Sequence, residues 1–150
     1  MTDTITVTGN VAATPELRVT PSGVAIVNFR VGSGQRRLDR ASGEWVDDGT
    51  NWFAVSAFRT LAEHVASSVR KGDPVVVTGR LRIRDWEAGG KRGTDVEITA
   101  DAVGHNLRWG TSEYSRQVGA RPGVAPADDQ NESWSAPAVT ASAEAETTPF

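Results

Sequence analysis

The sequence predicts an all-β fold, a five-stranded Greek-key barrel with one helix between its third and fourth strands, followed by a disordered tail. Short runs rich in β-branched residues alternate apolar and polar positions with a period of two, and turn residues separate these runs. A single segment repeats its apolar residues at helical spacing instead. Beyond about residue 112 the alternation stops, and Ala, Pro, Ser, Thr and acidic residues dominate.

Three strands are predicted in the first half of the chain. The first covers residues 5–11, and the second covers residues 24–31 after a turn at residues 21–23. The third runs from residue 51 to residue 58. The stretch 32–50 is predicted to be an extended hairpin loop, because it is polar and carries a Ser-Gly turn signal.

The predicted helix follows the third strand directly. Thr60 suits an N-cap, and Glu63 three residues later completes a capping box. Apolar residues then recur at i, i+4 and i+8, namely Leu61, Val65 and Val69. Lys71-Gly72 is typical of a helix C-terminus.

The fourth strand is predicted over residues 75–86 and the fifth over residues 94–103, with a turn at Gly89-Gly90 between them. Five strands with a helix after the third is the element order of the OB-fold, whose exposed strand face and loops bind oligonucleotides or oligosaccharides. A small all-β sandwich is the alternative, although a sandwich would not require a helix at this point.

Composition divides the chain into a predicted domain over residues 1–111 and a tail over residues 112–150 that is too poor in apolar residues to fold. Residues 1–110 hold 14 basic and 13 acidic residues, whereas residues 111–150 hold 2 and 6. The excess negative charge therefore lies in the tail, and any basic surface on the domain must come from local clustering.

Several classes of protein are excluded by composition. The chain has no cysteine, which excludes disulfides, cysteine-ligated zinc and thiol catalysis. Its first residues lack the pattern of a signal peptide, and no apolar run approaches the ~20 residues that span a bilayer. We therefore expect a cytoplasmic protein with no membrane association.

The third strand has an unusual face. By alternation its outer side carries Trp52, Ala54, Ser56 and Phe58, opposite a core side of Phe53, Val55 and Ala57. Two aromatic rings with small residues between them suit the stacking of nucleic-acid bases, which is indifferent to base identity.

The fourth strand places Arg80, Arg82 and Arg84 in a row that ends at Trp86. Adjacent like charges repel, so such a row does not stabilise a sheet. Guanidinium groups beside an indole are typical of an electrostatic track with a stacking platform for a nucleic-acid strand. The alternative is an ordinary solvated outer face.

Further basic residues flank these strands and are candidates for contact with the same ligand, namely Arg36, Arg37, Arg59, Lys91 and Arg92. Charges in loops are usually only solvated. Loops of an OB barrel nevertheless extend its binding groove, so the sequence predicts a wider interface than the two strands alone.

The sequence offers no candidate active site. Acidic residues beside Trp86 and at Asp47-Asp48 do not have the spacing of a metal site. Neither His64 nor His105 has an indicated nucleophile and orienting acid, and Gly32-Ser33-Gly34 lacks the ending of a phosphate loop. We therefore expect no catalysis, no cofactor and no metal.

Seven blocks carry a resemblance to a known family, at residues 9–11, 14–18, 27–31, 50–52, 58–63, 71–77 and 79–87. In this order and spacing they resemble the bacterial single-stranded DNA-binding proteins over roughly residues 4–108. The resemblance implies sequence-independent binding and protection of single-stranded DNA in replication, recombination and repair, by a nucleoid-associated homotetramer. The alternative is an OB-fold protein-interaction module that binds nucleic acid weakly.

The resemblance assigns base stacking to Trp52, Phe58 and Trp86, and the docking of replication and repair proteins to the C-terminal tip. Many members have a further stacking tryptophan early in the long hairpin, where this chain has Arg36-Arg37-Leu38. The tip keeps Pro149-Phe150, but its acids are few and separated, which weakens docking to basic partner pockets. We therefore expect a secondary paralogue with reduced partner recruitment.

Overall fold

The computed structural model describes residues 1–118, and its first compact unit spans Met1–Glu113. The elements follow in the order β1 (Thr4–Val11), β2 (Glu16–Val19), β3 (Ala25–Leu38), β4 (Trp45–Phe58), α1 (Arg59–Ser68), β5 (Pro74–Ala88) and β6 (Lys91–His105). The predicted fold class is confirmed, because five of these strands close a barrel and the helix falls where it was expected. Most of the predicted tail lies outside the described residues, so the tail and its boundary stay predictions.

The barrel closes where β1 passes from β5 to β3. β1 pairs with β5 over most of its length and meets β3 through Asn10↔Gly32 and Val11↔Val31. The two backbones approach so closely at Gly9 that a Cβ there would lie 2.5 Å from the Gly32 carbonyl oxygen. The remaining pairings of the circuit are β5–β6, the parallel pair β6–β4, and β4–β3.

The core is made by the inward residues of these strands, as the alternation of apolar positions predicts. Its most deeply buried side chains are Val27, Val31, Val55, Val75, Val77 and Ile98. Helix α1 packs against β3 and β4 and contributes Ala62 and Val65 to the same core. No helix in the described part of the chain is long and apolar enough to cross a membrane.

The start of the helix differs from the prediction. Strand β4 ends at Phe58 and the helix begins at Arg59, so Thr60 lies inside the first turn and no side chain caps the helix. The predicted capping box is therefore wrong. The chain makes this abrupt turn through Arg59, whose φ of 60° lies in the left-handed region that a residue with a Cβ rarely adopts.

The hairpin loop predicted over residues 32–50 is wrong over most of that range. β3 and β4 stay paired as far as Leu38↔Trp45, with a bulge between Gly34 and Arg36, and leave only residues 39–44 as the loop. This paired extension is here called the β3–β4 arm. Its residues are mostly exposed, so it lacks the apolar alternation by which a half-buried strand is recognised.

The hairpin between β5 and β6 also extends beyond its predicted ends, to Ala88↔Lys91. The predicted turn at Gly89-Gly90 is confirmed, since both residues have positive φ, as a two-residue type I′ hairpin requires. The extension is here called the β5–β6 arm. The short edge strand β2 was not predicted; it pairs with β3 outside the closed circuit.

Candidate nucleic-acid interface

Strand register brings alternate residues of four strands onto one outer face. Arg30 pairs with Ala54, Ala54 with Glu97, and Glu97 with Arg82, so one row crosses β3, β4, β6 and β5. Residues two positions further along each strand share that side. We call this surface the aromatic face; its key members are Arg30, Gly32, Trp52, Phe58, Gly93, Glu97, Arg80, Arg82, Arg84 and Trp86. The aromatic and arginine sides predicted separately are therefore one surface.

Both tryptophans of the aromatic face lie over a glycine of the neighbouring strand. A Cβ on Gly32 would come within 2.9 Å of the Trp52 ring, and a Cβ on Gly93 would overlap the ring of Trp86. Register pairs the same residues, Gly32 with Trp52 and Gly93 with Trp86. Because no side chain stands beneath them, the indoles lie close to the sheet and remain open to the outside, with Trp52 49% and Trp86 40% exposed.

Side chains on the neighbouring rows of β3 and β4 complete the surface between Trp52 and Phe58. The Arg30 Cζ lies 5.2 Å from the centroid of the Trp52 ring, a cation–π contact that places a guanidinium beside the exposed indole. On the next row, Ser56 Oγ donates a hydrogen bond of 2.8 Å to Asn28 Oδ1. The side chains between the two aromatic rings, Ala54 and Ser56, are therefore small or polar, and they do not cover the rings.

Phe58 lies at the end of β4, opposite Ile26, and is 42% exposed. It shares the outer side of the strand with Trp52, as predicted. The left-handed Arg59 follows immediately, and its side chain is exposed at the start of α1. The predicted contact residue Arg59 therefore lies beside the aromatic face rather than on it.

The arginine row of β5 differs from the sequence reading in its charge balance. Arg84 Nη2 lies 3.5 Å from Glu97 Oε2, and Arg80 Nε lies 4.0 Å from Asp101 Oδ1. The sequence predicts a row of unbalanced like charges, whereas in the structure strand β6 carries carboxylates on the same side. These carboxylates offset the repulsion along β5, and their position depends on a strand register that the sequence does not reveal.

The arm residues fall on two sides. Arg37 pairs with Asp48 at 3.5 Å, and Arg92 pairs with Glu87 at 3.6 Å. Alternation along the strands puts both of these arginines on the side away from the tryptophans. Arg36 and Lys91 alternate onto the side of Gly32 and Gly93, so of the four predicted arm residues these two extend the aromatic face.

The sequence indicates no serine or acid beside His105, but the structure places one of each there. Its ring is hydrogen-bonded to a serine and an aspartate, Nδ1 to Ser112 Oγ at 3.0 Å and Nε2 to Asp73 Oδ2 at 3.2 Å. The same Asp73 oxygen accepts the backbone N–H of Arg70 at 2.9 Å. These contacts hold the chain after β6 against the turn before β5. Among the described residues no group of three or more His, Asp or Glu side chains is placed to hold a metal ion.

Sequence reasoning missed several members of the face. Arg30 had a signal, since it alternates with Asn28 on the polar side of a strand whose other side is apolar. Gly32, Gly93 and Glu97 had no signal in the sequence, because their contacts depend on which strand lies beside them. The tail residues Pro149 and Phe150, predicted to bind partners, lie outside the described residues.

Comparison with known proteins gives a consistent result. The model of the Single-strand binding protein family matches residues 2–106. The chain is 46% identical over 113 residues to single-stranded DNA-binding protein 2 of Tropheryma whipplei strain Twist, covering 75% of this chain and 74% of that protein. It is 42% identical over 136 residues to the single-stranded DNA-binding protein of Mycobacterium bovis, covering 88% and 83%.

A solved structure shares the fold. The crystal structure of a small single-stranded DNA-binding protein from Streptomyces coelicolor matches with a TM-score of 0.65 and 41% identity, covering 73% of this chain and 98% of that one. The family match spans the barrel and every strand of the aromatic face. The chain belongs to the single-strand binding protein family.

Proposed function

We propose that this chain binds single-stranded DNA without sequence preference and protects it, through the aromatic face. The observation that carries the proposal is the pair of half-exposed indoles, Trp52 and Trp86, each held over a cross-strand glycine. Such rings present a flat surface at a fixed height above the sheet. Every base has a π-face, so stacking on them does not depend on base identity.

Binding divides into two physical contributions. Stacking on Trp52, Phe58 and Trp86 contributes about 1–3 kcal/mol per base and requires that the base be unpaired and unstacked. Guanidinium groups neutralise phosphates and release counterions, which makes the affinity depend on salt. We place Arg30 and the β5 row of Arg80, Arg82 and Arg84 nearest to the DNA strand. Arg36, Arg59 and Lys91 lie at its margins.

Duplex DNA does not offer the exposed base faces that stack on the indoles. Its bases are stacked on one another, so their π-faces cannot reach the indoles, and only phosphate contacts remain. The domain carries nearly balanced charge, so it has little general attraction for polyanions. Single strands should therefore be preferred over duplexes by stacking rather than by charge.

The biological setting extends this proposal. We propose that the protein is not an enzyme and acts in replication, recombination and repair, in the cytoplasm at the nucleoid, as a homotetramer. We further propose that the domain ends near residue 111 and that the tail, ending in Pro149-Phe150, recruits replication and repair proteins weakly. Sedimentation equilibrium tests the tetramer, and a pull-down with and without the last six residues tests the tail.

Titration of tryptophan fluorescence with oligo-dT and with duplex DNA tests the binding proposal. We expect quenching by the single strand that weakens as salt rises, and little quenching by the duplex. Equal quenching by both, or none by either, would contradict a stacking interface and favour a use of this face for protein contacts.

A further inference from the structure

The acidic residues of strand β6 bear on how tightly the aromatic face binds DNA. The aromatic face carries carboxylates among its arginines, although its proposed ligand is a polyanion. Glu97 pairs with Arg84 at 3.5 Å, and Asp101 pairs with Arg80 at 4.0 Å. We infer that Glu97 and Asp101 compete with DNA phosphates for these two arginines and so set the affinity of the face and its dependence on salt. This inference rests on the proposed function.

Glu97 occupies the centre of the face. In the register it stands between Ala54 of β4 and Arg82 of β5, in the row that joins the aromatic strand to the arginine strand. Its side chain is 33% exposed, less than that of its partner Arg84. A phosphate that approaches Arg84 must therefore come close to the Glu97 carboxylate or displace it.

Asp101 reaches the arginine row through an irregularity in β6. Thr78 pairs with Ala102 and Gly79 with Ala100, so Asp101 is the extra residue of a bulge. Bulges redirect a side chain relative to regular alternation, and here the carboxylate lies beside Arg80. Two independent features of β6, a regular position and a bulge, thus supply a carboxylate to the same row.

Arg82, between the two paired arginines, makes no ion pair with any described residue. Arg82 can bind a phosphate directly, whereas Arg80 and Arg84 must first give up their carboxylate partners. An arginine that only changes partners neutralises one negative charge and uncovers another. The net number of counterions released on binding is therefore smaller than a count of arginines indicates.

The test uses Glu97→Gln and Asp101→Asn in the full-length protein, because both changes remove the charge and keep the size. We expect each variant to bind oligo-dT about two- to five-fold more tightly at low salt, the range that corresponds to breaking an exposed ion pair. The slope of log affinity against log salt should steepen by about 0.7 for each arginine released. Circular dichroism establishes that each variant is folded.

Two controls separate a local effect from a change in net charge. Glu63→Gln removes a charge from an exposed position of helix α1, away from the arginine row, and should leave the slope unchanged. Glu97→Gln combined with Arg84→Met should gain nothing over Arg84→Met alone. If Glu63→Gln tightens binding equally, or if the gain survives without Arg84, the inference is overturned. Wild-type protein that fails to bind oligo-dT would instead overturn the proposed function.

Discussion

At the scale of the residue, the height of a ring above the sheet is set by the residue beneath it. Trp52 and Trp86 were predicted from alternation, since an aromatic on the polar side of a strand is visible in the sequence. The glycines beneath them were not, because Gly32 lies 20 positions from Trp52 in the chain and only register joins the two. Sequence therefore predicted the exposed aromatic residues of the face but not the glycines that lie beneath them.

Gly32→Ala tests that support. A Cβ would come within 2.9 Å of the Trp52 ring and push it away from the sheet, whereas at Gly34 a Cβ would meet nothing within 4 Å. We expect Gly32→Ala to weaken oligo-dT binding by about 1–3 kcal/mol, the contribution of one stacked base, with little change in stability because an exposed ring can move. Gly34→Ala is the matched control. Equal affinities for both variants would show that the ring does not depend on its glycine.

Removal of the rings themselves should have the same effect on binding. We expect Trp52→Ala and Trp86→Ala each to lose about 1–3 kcal/mol of binding free energy for oligo-dT at constant salt. The control is Trp109→Ala, which removes an exposed indole beyond β6 and should leave the affinity unchanged. Isothermal calorimetry gives the three values. A loss for Trp109→Ala as large as for Trp52→Ala would be incompatible with this location of the site.

At the scale of the element, the predicted strands and helix are present, but several of their ends are not where the sequence placed them, chiefly in the two arms and at the start of the helix. The β3–β4 arm has solvent on both sides, so period-two alternation could not reveal it. The capping box predicted at Thr60 does not form, because β4 runs directly into α1 and the helix begins one residue earlier, at Arg59. Arg59 takes up the turn in a left-handed conformation.

Arg59→Gly should stabilise the protein, because glycine adopts positive φ without the steric cost that other residues incur. That cost is roughly 1–2 kcal/mol, and the greater freedom of glycine in the unfolded chain offsets part of it. We expect a net gain of about 0.5–1 kcal/mol in the free energy of unfolding by urea. Arg59→Lys keeps both charge and strain, so its stability should match wild type. A destabilised Arg59→Gly would show that the turn is not strained.

Gly79 of β5 lies opposite the bulge in β6, where the backbone leaves no room for a side chain. A Cβ there would overlap the backbone carbonyl of Thr99, which cannot move without disturbing the β5–β6 pairing. We expect Gly79→Ala to lower the free energy of unfolding by about 1–3 kcal/mol, as overpacking does. The control is Gly104→Ala on the same pair of strands, where a Cβ would meet nothing within 4 Å. Thermal unfolding of both variants distinguishes a local clash from a general intolerance of side chains.

At the scale of the whole molecule, strand pairing through β6 joins two sequence patterns into one surface. The aromatic pattern lies on β4 and the arginine pattern on β5, and β6 lies between them with one parallel and one antiparallel partner. Sequence predicted the fold class and both patterns. It could not predict the carboxylates of β6 on the same face, because they depend on pairings between distant parts of the chain.

The most direct test of the central claim is photochemical crosslinking of an oligo-dT that carries 5-iodouracil, followed by mass spectrometry of the modified peptides. The photoproduct forms preferentially with aromatic side chains that lie against the base, so the adducts report base contact at individual residues. We expect adducts at Trp52, Phe58 and Trp86 that disappear when unlabelled oligo-dT is added in excess. Adducts confined to Trp45, Trp109 or Tyr114, with none on the aromatic face, would contradict the account.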